Sequence, residues 1–167
     1  MTEIIDKTRQ PKVELFAEER MVTTETLMDA NTLVSAAIDK LAVGPAGLDP
    51  STAELLMRLA RSPSCGIRGV DIGAQCQMTA TRVSRLVDRA EAEGFVRRTP
   101  DPSDRRAQHV ALTDAGYAAA AKLAPLMDDL LDELVFETLS AEERATLTDL
   151  LVRLADRARQ MLDDAKR

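Results

Sequence analysis

The chain has 167 residues, a formal net charge of −6, 45% hydrophobic residues and only 2% aromatic ones. That length accommodates one well-packed domain, or one domain with long helical extensions, and a core poor in aromatics must be built from Leu, Ala, Val, Ile and Met, which favours packed helices over a β-sandwich. No stretch approaches the roughly 18 apolar residues of a membrane helix, and Cys65 and Cys76 are too few for a disulfide framework. The expectation is a soluble, cytoplasmic protein with no membrane partner.

Net acidity argues against a nucleic-acid partner until its distribution is read. Residues 1–57 carry 5 basic and 10 acidic side chains, residues 58–113 carry 10 and 6, and residues 114–167 carry 7 and 12. A basic middle between two acidic arms is the pattern expected if the middle meets phosphate and the arms have another task.

Residues 1–12 lack periodicity and are read as a flexible or accessory arm. Residues 13–48 are assigned to a first dimerisation helix and linker: Leu27, Val34, Ile38 and Leu41 recur at helical spacing between Val13 and about Val43, and Gly44-Pro45 is expected to stop the run. Asp49-Pro50 offers an N-cap with proline in the first turn, or Ser51 and Glu54 a capping box, for a second helix that buries Leu55, Leu56 and Leu59 and ends near Ser62-Pro63. Ile67–Gln77 reads as a short third helix, weakened by Gly69 and Gly73, with Cys76 in an apolar slot as a small core residue.

The segment from Thr79 to Gly94 carries the most information. Thr79 is placed to cap a helix, Gly94 to close it, and Val83, Leu86, Val87 and Ala90 share one face by their i, i+3, i+4, i+7 spacing. The other side carries Thr81, Arg82, Ser84, Arg85 and Arg89. Such a face suits a DNA major groove: arginine donates two hydrogen bonds to a guanine edge, threonine meets a thymine methyl or a phosphate, and helix N-terminal amides favour phosphate oxygens. Thr79, Thr81, Arg82, Ser84, Arg85 and Arg89 are therefore the candidate DNA contacts on this helix.

Phe95–Thr99 and His109–Leu112 are β-compatible stretches joined by the turn-rich polar loop Pro100–Gln108, which predicts a hairpin with a charged tip. Arg105 and Arg106 at that tip are placed to reach a neighbouring minor groove, and His109 is expected on the strand surface. Two helices, a turn, an amphipathic recognition helix and a basic hairpin describe a winged helix-turn-helix lobe over residues 49–113. The fold class expected is mainly α with a small β-hairpin wing, its N- and C-terminal helices forming a dimerisation base.

At these residues the sequence resembles the MarR family of bacterial transcription regulators. The resemblance rests on Asp104-Arg105-Arg106, followed at fixed spacing by Leu112-Thr113 and Gly116, on the run Val83 to Arg89, and on Glu93-Gly94-Phe95-Val96; it extends in element order over roughly residues 25–160. It implies that Asp104 and Arg106 brace the wing while Arg105 or Arg106 reaches DNA. Gly69, Gly73 and the small Ala90 are departures from the family's usual pattern.

In residues 114–167, Thr113-Asp114 is a natural N-cap for a helix running from Ala118 to Leu139, with Leu123, Met127, Leu130, Leu131 and Leu134 available for burial and a kink expected at Pro125. Ser140 and Glu143 form a capping box for a last helix whose stripe, Leu147, Leu150, Leu151, Leu154, Met161 and Leu162, is too long for the winged lobe to cover. A symmetric homodimer covers it and presents two recognition helices about one DNA turn apart.

The functional expectation is a homodimeric, sequence-specific regulator of transcription, a repressor on a pseudo-palindromic operator in double-stranded DNA. Partly from the family resemblance, it includes release by a small lipophilic or aromatic effector lined by Phe16 and Tyr117. The alternative is a helical protein-interaction module whose winged lobe no longer binds DNA. With one histidine, His109, no conventional zinc site is expected. No phosphate-binding glycine loop, nucleophile elbow or HExxH run is present, so neither an enzyme nor a cofactor is expected. Members of the family that sense peroxide carry a cysteine in the first helix, where this chain has none.

Overall fold

The fold is that of a computed structural model, which describes residues 18–62, 66–76, 78–101 and 107–165. The chain divides into two compact units, Met1–Ala37 and Ile38–Arg167. The first holds most of helix α1 (Glu18–Ile38), which leaves Val22, Met28 and Leu33 exposed.

In the second unit a π-helical stretch, Asp39–Val43, runs into one further turn, α2 (Gly44–Ala46). The expected stop at Gly44-Pro45 is therefore displaced. The Gly44 N–H reaches back five residues to the Asp39 carbonyl, Pro45 sits in the first turn of α2 where it needs no donor, and the helical path ends at Gly47 in the left-handed region with φ 78°. Asp49 then caps α3 (Pro50–Ala60), its carboxylate accepting from the Ser51 and Thr52 amides at 3.1 and 3.2 Å. Of the two caps open to the sequence, this is the one formed.

A further difference follows α3. Ile67–Arg68 form a short strand, β1, and the third helix, α4 (Gly69–Cys76), starts only afterwards. Two residues are too few to show a strand period. They are extended because they complete the open edge of β3, with Ile67 opposite Val110 and Arg68 opposite His109. The recognition helix α5 (Ala80–Ala92) is capped by Thr79, and Gly94 takes the left-handed conformation expected of it, φ 80°. Strands β2 (Val96–Pro100) and β3 (Gln108–Leu112) pair antiparallel, so the wing is a three-stranded sheet in the order β1-β3-β2.

The lobe's core gathers Leu55, Leu56 and Leu59 of α3, Ile72 of α4, the apolar face of α5, Val96, Val110 and Leu112 of the sheet, and Ala120 of the next helix. That helix, α6 (Asp114–Leu131), is capped by Thr113, continues through Pro125 and passes into a second π-helical stretch, Asp132–Phe136. Its Leu123 is buried with Ala42, Val43, Ala46 and Ala53 in a smaller cluster, against which Met127 and Leu130 pack. The last helix, α7 (Ala141–Asp164), begins with the expected capping box between Ser140 and Glu143. Among the described residues no helix is long and apolar enough to cross a membrane.

Candidate nucleic-acid interface

Helix α5 is held in one rotation by its own apolar stripe. Val83, Leu86, Val87 and Ala90 are all buried in the lobe, and burying a Val or Leu side chain is worth about 1.5–3 kcal/mol. A turn of the helix about its axis would expose them, so the opposite side, with Thr81, Arg82, Ser84, Arg85, Asp88 and Arg89, faces outward. Ala90, small as it is, is fully buried with them.

The lobe's arginines divide by what holds them. Arg58 pairs with Glu54 one turn away on α3, at 2.7 Å. Arg68 binds the buried Asp101 carboxylate at 2.5 Å. Arg97 donates to the Leu112 carbonyl at 3.0 Å, and Arg98 bridges Asp88 and Glu91 of α5. Arg89 donates to Asp49 Oδ1 at 2.8 Å, tying α5 to the cap of α3. Partial burial pushes the Asp49 carboxyl up, but hydrogen bonds from Thr52 and Ser51 and the charge of Arg89 outweigh that and hold it below its ordinary value of 3.8. The side chains of Arg82 and Arg85 have no hydrogen-bond or ion-pair partner among the described residues. Their donors remain free for an acceptor outside the chain, as do the exposed Thr81 and Ser84. Thr79 is already engaged in the cap, accepting from the Arg82 amide at 3.4 Å.

Behind the recognition helix, the Leu112-Thr113 and Gly116 spacing has a physical cause. Thr113 Oγ1 donates to the Gly94 carbonyl at 2.6 Å and accepts from the Gly116 amide at 3.1 Å, while the Thr113 amide donates to the Phe95 carbonyl at 3.0 Å. A Cβ at Gly116 would lie 2.0 Å from that same Phe95 carbonyl oxygen. One threonine thus joins the end of α5 to the start of α6, and only glycine lets the two backbones approach so closely.

The base of the wing holds residues that sequence reasoning missed. Asp101, whose side chain is 4% exposed, accepts from Arg68 of β1 and sits 2.9 Å from His109 Nε2 of β3. His109 is accordingly half-buried and engaged rather than a plain surface residue, because β1 and Asp101 enclose it. Its only advance signal is Asp101 lying between Pro100 and Pro102 at the mouth of the loop. Asp104, Arg105, Arg106 and Cys65 lie outside the described residues, as does Phe16. Cys76 packs against the core as expected, and burial first, then the neighbouring Glu54, pushes its thiol up. That is the opposite of what a reactive thiol needs. Tyr117, in the first turn of α6, is 46% exposed, and the six α7 residues of the expected stripe are between 43% and 59% exposed.

A profile of the MarR family matches residues 46–107, the span from α2 through the wing loop. The MarR-family transcriptional regulator Sco3205 from Streptomyces coelicolor, solved in complex with DNA, is 30% identical and superposes with a TM-score of 0.78 over 84% of this chain and 92% of that one. This chain belongs to the MarR family. Its fold is the family's winged helix, and it is a transcription regulator, not an enzyme. The uncharacterized HTH-type transcriptional regulator YwhA of Bacillus subtilis is 30% identical over 101 residues, which are 60% of this chain and 70% of that protein. CouR from Rhodococcus jostii RHA1, solved bound to p-coumaroyl-CoA, is 26% identical with a TM-score of 0.71, covering 80% of this chain and 91% of that one.

Proposed function

We propose that the chain acts in the cytoplasm as a homodimeric repressor, placing α5 of each copy in successive major grooves of a pseudo-palindromic operator. The observation that carries this reading is the pair Arg82 and Arg85, exposed on the outward side of α5 with no side-chain partner among the described residues, while Arg89, Arg97 and Arg98 are held by other groups of the lobe. Thr81 and Ser84 flank them, and Arg105 and Arg106 add a wing contact in the neighbouring minor groove, with Asp104 as its brace. Sco3205 supports the reading, having been solved on DNA. The exposed α7 stripe supports the dimer, because Leu147, Leu150, Leu151, Leu154, Met161 and Leu162 form a continuous apolar face that a second copy would cover.

We extend the proposal to an effector. A small lipophilic or aromatic ligand, with the exposed Tyr117 as its candidate lining residue, releases DNA by favouring the spacing of lobes that no longer matches the grooves. CouR with its bound p-coumaroyl-CoA is the supporting relative.

Titration of the full chain into a duplex selected from a randomised pool, at several salt concentrations, tests the DNA reading. Specific binding should weaken steeply with salt, and replacing both Arg105 and Arg106 by Ala should flatten the log–log dependence by up to about two phosphate contacts. Absence of duplex binding by a folded dimer would favour the interaction-module alternative. For the effector, calorimetry with salicylate-like and longer lipophilic acids should show binding that operator DNA weakens reciprocally, and a panel without any binder ends that part of the proposal.

A further inference from the structure

Asp88 is an awkward residue for a helix that meets DNA. It stands three residues beyond Arg85 and four beyond Ser84, hence on the same exposed side of α5. A carboxylate there repels the phosphates that Arg82 and Arg85 would attract, and Glu91 adds a second charge less than one turn further on.

Strand β2 supplies the answer. Arg98 Nη2 donates to Asp88 Oδ1 at 2.5 Å, its Nη1 donates to Glu91 Oε2, and its backbone N–H holds Glu91 Oε1 at 3.2 Å. The Arg98 side chain is 24% exposed, against 71% for Arg153 in an ordinary surface pair on α7. This fork is therefore held in place by its surroundings, in a geometry that arginine's fixed planar donors suit and a lysine's point charge does not.

We infer that Arg98 is a positioning residue for DNA recognition: it cancels the charge of Asp88 on the groove-facing side of α5 and ties that helix to the wing strand, without itself touching DNA. The inference rests on the reading that α5 meets the duplex. Its neighbour on β2, Arg97, is engaged separately, donating to the Leu112 carbonyl of β3. The Arg98 fork also gives wing and recognition helix a direct mechanical link, so that displacement of one moves the other.

The test is fluorescence anisotropy of the full chain on a labelled duplex selected from a randomised pool, with a mixed-sequence duplex beside it and the melting temperature of every variant followed in parallel. R98M should weaken binding about tenfold, since it leaves like charge facing phosphate. D88N introduced into that background should restore most of the loss, and R98K should fall between wild type and R98M. Two results overturn the inference. Equal effects of D88N in the wild-type and R98M backgrounds would make Arg98 an independent contact, and a loss that tracks melting temperature and ignores D88N would make it a fold brace only. Failure of the wild type to bind any duplex removes the DNA reading and this inference together. If the wild type binds and R85A weakens it while the D88N rescue fails, only the inference about Arg98 falls.

Discussion

Helices α5 and α7 are both amphipathic, both properly capped and both carry an aliphatic stripe, yet they end in opposite states. On α5, Val83, Leu86 and Val87 are 4%, 6% and 2% exposed; on α7, Leu154 and Met161 are 56% and 58% exposed. The lobe around α5 completes its own core from α3, α4, α6 and the sheet, whereas the stripe of α7 is left exposed among the described residues. An apolar stripe left bare along so long a helix is information about assembly rather than folding. The polar side of α5 carries the complementary message, since Arg82 and Arg85 there have no side-chain partner among the described residues.

Breaking the α7 stripe should have the largest consequence. Leu150→Asp with Leu154→Asp puts two charges where a second copy would pack, and should yield a folded monomer whose operator binding falls by a factor of about 10² or more, since two linked half-sites become one. Sedimentation reads the mass and anisotropy the affinity; an unchanged dimer would move the interface elsewhere. The matching cut on the other helix, Leu86→Ala, should lower stability by about 2–5 kcal/mol in denaturant unfolding through cavity formation, and leave association at permissive temperature intact.

Smaller effects sharpen the division among the arginines. Arg85→Ala should cost about 1–3 kcal/mol on selected duplex and less on mixed sequence, if it reads a base edge. Equal losses on both would make it a phosphate contact. Asp49→Ala should cost about 1 kcal/mol of stability at neutral pH by removing the cap of α3. The sign with pH follows from its lowered pKa. The folded chain favours the ionised carboxylate, so the stabilisation is complete above the ordinary value of 3.8 and is lost as pH falls through the lower folded value. The gap between wild type and variant should therefore narrow in acid; a constant gap would leave the ionised form without a part in the cap.

Much of this was readable in advance where a local rule acts alone. The caps at Asp49, Thr79, Thr113 and Ser140, the buried face of α5, the left-handed Gly94 and the hairpin strands all follow from side chains acting on their own neighbours. What escaped depends on partners distant in the chain. Ile67 and Arg68 become a strand only because β3 offers an edge some forty residues away, and Asp101 becomes a buried anchor only because that strand delivers Arg68 to it. The capture of Arg89 by Asp49, 40 residues away, and of Arg98 by α5 could not be told from composition, which shows a basic middle but not which of its charges are already matched. The helix stop at Gly44-Pro45 failed for a different reason, since a π-helical turn shifts the hydrogen-bond register and lets proline enter without breaking the path.

The central claim is that two copies of this chain, joined through α7, meet one duplex through the free arginines of α5. Sedimentation velocity of a labelled, selected duplex titrated with the full chain tests it most directly. The account predicts a complex of two chains per duplex for the wild type, which Arg82→Ala with Arg85→Ala abolishes at the same protein concentration while the free protein stays dimeric. A complex of one chain per duplex, or one that persists undiminished without Arg82 and Arg85, would contradict it.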